Sequence, residues 1–115
     1  MRKEGSVNCL ANKYGAKKIK DPATGFVFDS KREFHRWCEL RILEKAGKIT
    51  GLSRQVSFEL IPKQAGERAV NYVADFTYYE DGNFVVEDCK GYKTEVYKLK
   101  KKLLIYRWGY KIRET

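Results

Sequence analysis

The sequence predicts an α/β fold in which an N-terminal hairpin precedes an α-β-β-β-α-β series with a mixed central sheet. Three observations carry that expectation. A helical apolar pattern runs from Lys31 to Ala46 and stops at Gly47. Two runs rich in β-branched and aromatic residues, Val70–Tyr79 and Asn83–Cys89, are joined by Asp81-Gly82, a strong two-residue hairpin signal. A second helical pattern over Glu95–Arg107 is bracketed by Thr94 as N-cap and Gly109 as stop.

Residues 1–13 are polar and basic and read as a flexible arm, leaving 14–115 as a single domain. Ala16–Lys20 and Gly25–Asp29 flank the turn-rich Asp21-Pro22-Ala23-Thr24 and read as a small hairpin. In the first helix Phe34, Trp37, Cys38, Leu40, Ile42, Leu43 and Ala46 form a broad apolar side, and Ser30-Lys31-Arg32-Glu33 has capping-box spacing. Val56, Phe58 and Leu60 alternate with polar residues as a strand that Pro62 ends, and Pro62–Ala69 is a polar loop. In the second helix Val96, Leu99, Leu103 and Tyr106 recur at i, i+3, i+7, i+10 and are expected to face the core. Tyr110–Arg113 can add a last short strand.

A chain of 115 residues with 43% apolar composition supports one core. Cys9, Cys38 and Cys89 are odd in number and lack C-x-x-C spacing, which argues against a disulfide framework or a zinc site and suits a reducing compartment. No run resembles a signal peptide or a membrane span, so a soluble cytoplasmic protein without a membrane partner is expected. The net charge of +9 is uneven: residues 1–20 hold six Lys/Arg against one acid, 91–115 hold eight against two, and the middle is slightly acidic. Basic ends of this kind favour a polyanion, because each neutralised phosphate releases counterions. Lys13, Tyr14, Lys17 and Lys18 near one end, and Lys98 and Lys102 at i, i+4 near the other, are the candidate DNA contacts.

With a two-residue loop at Asp81-Gly82, Glu80 pairs with Asn83, and Asp75 falls directly opposite Asp88. Lys90 lies two residues along on the same face. Like charges placed opposite each other destabilise a sheet, and a divalent cation is the obvious compensation. Hard carboxylate oxygens suit Mg²⁺ or Mn²⁺. The alternative for these residues is a solvent-facing edge with hydrated carboxylates. Glu87 points to the opposite face of a regular strand and competes with Asp88 only if the strand is bulged. His35, the only histidine, reads as a helix residue rather than a general base, and Cys89 as a core thiol.

Asp75, followed by Asp88-Cys89-Lys90 on the next strand, resembles the Asp…(Asp/Glu)-X-Lys signature of the PD-(D/E)XK nuclease superfamily, whose restriction-endonuclease-like core has the same α-β-β-β-α-β order. Within it the chain is most similar to a group of small, mostly phage-encoded proteins of uncharacterised function. The shared features are Asn12-Lys13-Tyr14-Gly15-Ala16-Lys17-Lys18, Phe28-Asp29-Ser30-Lys31 ahead of Glu33, Tyr72-Val73-Ala74-Asp75-Phe76 and Val86-Glu87-Asp88-Cys89-Lys90-Gly91. Ala74 stands where the superfamily name has proline. The resemblance implies that Asp75 and Asp88 ligate the metal with Glu33 as a third acidic group. It implies that Lys90 orients the attacking water and offsets transition-state charge. From the residues alone, Glu33 could instead complete the capping box with Ser30.

The expected function is therefore metal-dependent hydrolysis of DNA phosphodiesters. By analogy with small resolvases it would be structure-selective, of Holliday-junction type, in phage DNA processing within the host cytoplasm, by a homodimer. A catalytically silent DNA-binding module on the same fold is the rival from another class, and a nuclease acting on RNA is a further alternative.

Overall fold

The computed structural model describes residues 9–11, 17–89 and 92–115, with side chains from residue 18 onward. It divides into two units, Met1–Ile42 and Leu43–Thr115. The elements are β1 (Cys9–Ala11), β2 (Lys17–Lys20), β3 (Val27–Phe28), α1 (Lys31–Lys45), β4 (Ile49–Ile61), β5 (Val70–Glu80), β6 (Asn83–Asp88), α2 (Glu95–Trp108) and β7 (Ile112–Glu114). The predicted order of hairpin, helix, three strands, helix and strand is observed.

In the first unit β2 and β3 form the expected antiparallel hairpin, with Ile19 opposite Phe28. The unforeseen strand β1 pairs with β2, inside the stretch read as an arm. Asp21 builds the hairpin connection. Its carboxylate accepts from the Ala23 N–H at 3.1 Å and the Thr24 hydroxyl at 2.8 Å, the side-chain equivalent of a backbone turn. Burial pushes the Asp21 carboxyl up, but hydrogen bonds from Thr24, Ala23 and Trp37 and the Arg41 charge outweigh it and hold the group below its ordinary value. Ser30 caps α1 by accepting the Glu33 N–H at 3.2 Å. Ile19, Phe28, Trp37 and Leu40 are buried, with Phe28 and Trp37 ring centroids 6.0 Å apart. Cys38 and Ile42, expected on the apolar side, are exposed. The buried stripe is narrower than the composition of the helix suggests.

The second unit is a mixed four-stranded sheet in the order β4-β5-β6-β7. The first three strands are antiparallel neighbours, and β7 joins β6 in parallel, which requires the crossover that α2 provides. Asp81 and Gly82 both take positive φ, 52° and 79°, the signature of a type I′ turn, so they set the β5–β6 register as expected. Thr94 caps α2 by accepting the Tyr97 N–H, and Gly109 ends it in the left-handed conformation. The core joins Phe58, Leu60, Tyr72, Ala74, Val86 and Ile112 of the sheet to Tyr97 and Leu104 of α2.

That core corrects the expected orientation of α2. Val96, Leu99 and Tyr106 stand 62%, 58% and 87% exposed, while Tyr97 and Leu104, seven residues apart, face inward. The reason is local. The Tyr97 hydroxyl donates to Glu114 on β7 at 2.7 Å, so a residue with a polar tip can be an inward anchor. Leu104→Ala should therefore cost about 2–5 kcal/mol. Leu99→Ala should stay within about 0.5 kcal/mol of wild type. Urea melts of the two variants check this, and equal costs would return the helix to the predicted orientation.

Candidate active site

The β5–β6 ladder runs from Glu80↔Asn83 to Phe76↔Glu87. The expected next pair, Asp75 opposite Asp88, is not part of the observed ladder, which stops at Phe76↔Glu87. The strands begin to part there: the Cys89 N–H, just past the end of β6, donates to Asp75 Oδ2 at 2.9 Å. On the other side of β5, Arg54↔Phe76 and Val56↔Ala74 are paired but 55 and 75 are not, and Gln55 has φ 55°. A positive φ in a residue with a side chain is uncommon in a strand and marks a local break in the pleat. Asp75 thus sits where both ladders are interrupted, which separates its half-buried carboxylate from regular sheet pairing.

Asp88 is 1% exposed, and its Oδ2 accepts from the Tyr72 hydroxyl. In the parallel ladder it lies beside Glu114, whose carboxylate takes the Tyr97 hydroxyl. Two tyrosines that belong to the core therefore carry the acids at this end of the sheet. Burial pushes the Tyr72 hydroxyl well above its ordinary pKa, and the hydrogen bond to Asp88 and the charges of Asp88 and Asp75 add to it. Tyr97 is raised in the same way by burial, by Glu114, and by the same two aspartates. Each hydroxyl is consequently a donor at any working pH, and the negative charges of Asp75 and Asp88 converge on one region. Sequence reasoning missed Tyr72, Tyr97 and Glu114. The available signal was the rule that a buried carboxylate needs a donor, applied to the tyrosines of the core strand and helix.

Glu87 has a different environment. It is 0% exposed, accepts from Tyr78 at 2.5 Å through Oε1 and from the Thr115 hydroxyl at 3.0 Å through Oε2, and pairs in register with Arg113 on β7. Arg113 in turn donates to the Tyr78 hydroxyl and to Glu80, both at 3.1 Å. The strand from 83 to 88 is regular, so Glu87 and Asp88 point to opposite faces.

Of the predicted acids, Asp75 and Asp88 are the two whose charges both act on the Tyr72 and Tyr97 hydroxyls. Glu33 is buried in the first turn of α1, in the other unit. Lys90 lies outside the described residues, as do Lys13 and Tyr14; Lys17 is in β2, and its side chain is not described. Lys18 is 4.0 Å from Asp29. Lys98 and Lys102 are exposed on α2, with Lys98 3.1 Å from Glu95. His35 is exposed, and Cys89 is half-buried with its sulfur 3.3 Å from the Thr115 hydroxyl. Among the described residues no three His, Cys, Asp or Glu side chains converge as a preformed metal cluster. The chemistry of the Asp75–Asp88 pair still fits Mg²⁺, which is held by one or two carboxylates and keeps several waters.

The tyrosine–carboxylate arrangement has a measurable consequence. The Tyr97 hydrogen bond, opposed by burial and helped by Lys101 and Lys93, holds the Glu114 carboxyl below its ordinary value. A depressed folded-state pKa gives stability that is present above the unfolded carboxylate pKa and lost as pH falls through the folded value. Tyr97→Phe should cost about 1–2 kcal/mol near neutral pH, and the difference from wild type should shrink in acid below the ordinary carboxylate pKa. Thermal melts across pH check this. A cost independent of pH would assign the effect to packing.

Residues 11–114 match the family model described as "Protein of unknown function (DUF1064)". No curated protein and no solved structure matches the chain. A match over nearly all of the 115 residues is decisive: the chain belongs to the DUF1064 family.

Proposed function

We propose that this protein is a metal-dependent endodeoxyribonuclease of the PD-(D/E)XK type. The observation that supports the reading is that Asp75 and Asp88, just past the end of the β5–β6 ladder, both act on the Tyr72 and Tyr97 hydroxyls, with Lys90 following on the chain. Their order after α1, with Glu33 in its first turn, matches the sequence series that suggested the superfamily.

When bound, Mg²⁺ or Mn²⁺ supplies Lewis acidity and charge neutralisation at the phosphoryl oxygens. Asp75 and Asp88 would hold it, and the sequence resemblance assigns Glu33 the third acidic role. The Cys89 N–H orients Asp75, and the Tyr72 hydroxyl orients Asp88, so neither carboxylate must reorganise as charge develops. Lys90 is assigned to position the attacking water. Lys98 and Lys102, with Lys13, Tyr14, Lys17 and Lys18, are assigned to the DNA backbone.

Incubation with linear, branched and single-stranded DNA in Mg²⁺, Mn²⁺ or EDTA tests the reading. Cleavage in either metal and none in EDTA is expected. DNA binding without cleavage in any condition would replace the nuclease by a silent binding module.

The basic surface gives a separate expectation. Affinity for duplex DNA should fall steeply as salt rises, and replacing Lys98 and Lys102 together with alanine should reduce the slope of log K against log salt by about 1–2. An unchanged slope removes α2 from the DNA-contacting surface.

A further inference from the structure

A cavity of about 280 Å³ opens in the second unit between β5 and the N-terminal half of α2, lined by Tyr72, Val73, Thr94, Val96, Tyr97 and Lys100. Of its lining, the proposed hydrolysis uses the Tyr72 hydroxyl alone. Its buried lining residues are Tyr72 and Tyr97, whose hydroxyls are engaged by Asp88 and Glu114, which leaves ring surface as their remaining contribution. Its rim carries two exposed valines, Val73 at 47% and Val96 at 62%, and the half-buried Lys100. Neither valine belongs to the core cluster.

Tyrosine rings and valines beside a threonine and one cation do not suit duplex DNA, which offers phosphates and shallow base edges to a protein surface. They do suit a nucleotide presented singly, with a base against the valines and tyrosine rings and a phosphate at the lysine. The volume is just below the ~300–1,000 Å³ range of small-ligand pockets, room for one base and not for a helix. A single hydrogen bond, Tyr72 to Asp88, separates this lining from the candidate catalytic pair. A second copy of the chain is a poor occupant. α2 carries five Lys/Arg against one Glu, so two such surfaces would meet with like charge.

We propose that the cavity receives the base of one unpaired nucleotide beside the scissile phosphate, which makes DNA with single-stranded or opened stretches the preferred substrate. The inference rests on the nuclease reading. A paired base would have to leave its stack at a cost of a few kcal/mol, and an unpaired one would not.

Fluorescence anisotropy in EDTA, with a labelled short single strand and its blunt duplex, separates binding from cleavage. Wild type should bind the single strand about tenfold or more tightly over the duplex, the scale of one good base contact. Val96→Trp and Val73→Trp, both at exposed positions, fill the cavity and should each remove most of that preference. Deoxyadenosine monophosphate should shift the methyl NMR signals of Val73 and Val96 in wild type. Equal wild-type affinities, parallel losses on strand and duplex in both Trp variants, or unperturbed valine methyls overturn the proposal. So does a Trp-induced change in self-association by sedimentation, which assigns the cavity to a second copy. Absence of cleavage in Mg²⁺ is read in the separate nuclease assay and counts against that reading alone. Cleavage without strand preference counts against the cavity alone.

Discussion

Asp88→Asn should lower Mg²⁺-dependent cleavage by on the order of 10³, the scale on which losing one electrostatic element of an active centre acts, while DNA binding persists. Glu87→Gln should do nearly the opposite. Its two oxygens accept from Tyr78 and Thr115, so the amide nitrogen of glutamine is satisfied only if one hydroxyl turns from donor to acceptor, in a site with 0% exposure. Leaving one buried donor or acceptor unsatisfied costs about 1–3 kcal/mol. Activity per folded molecule should stay within a few-fold of wild type. Stability and single-turnover cleavage measured on the same preparations separate the two effects. A cleavage defect in Glu87→Gln larger than in Asp88→Asn would mean that the catalytic face of β6 is the other one.

The register behind that contrast was readable because one turn determines it. Asp81-Gly82 accepts positive φ at both positions, and a two-residue loop leaves no freedom in which residues oppose each other. The orientation of α2 was not readable on the same terms. Val96, Leu99, Leu103 and Tyr106 make a clean apolar stripe, yet the helix buries Tyr97 and Leu104, and of those four Leu103 packs against the core. Periodicity counts apolar side chains and is blind to hydrogen bonds across the fold, and the bond from Tyr97 to Glu114 is one of these. The half-buried Lys100 and Lys101 show the complementary effect, since their alkyl stems can lie along apolar surface while the charged ends reach out. Short strands such as β1 and β7 give too few residues for alternation to register, so β1 was missed and β7 was expected two residues early. Glu33 shows the limit for the site: the capping hydrogen bond from its N–H to Ser30 satisfies the local pattern whether or not its carboxylate has a catalytic role.

Asp75→Asn should raise the melting temperature of the metal-free protein by on the order of 5 °C and abolish both the Mg²⁺-induced shift and cleavage. The β5–β6 ladder stops at Phe76↔Glu87, one step short of Asp75 and Asp88, and both charges act on the Tyr72 and Tyr97 hydroxyls. Directly opposed residues have β-carbons about 4.5–5.5 Å apart. Two unit charges at such a separation repel by about 3 kcal/mol at an effective dielectric near 20, and less where water screens the half-buried Asp75. Asparagine keeps a carbonyl oxygen for the Cys89 N–H, so removing the charge need not break the hydrogen bond that holds the strand end. The repulsion is then relieved, whereas the cation loses a charged ligand and with it the stabilisation that binding adds by mass action. Gained stability with lost function is what a site assembled from like charges should show. Differential scanning fluorimetry with and without Mg²⁺, beside a cleavage assay, gives all three quantities. If Asp75→Asn keeps the Mg²⁺ shift and still cleaves, the metal site is not at Asp75 and the nuclease reading loses the pair on which it stands.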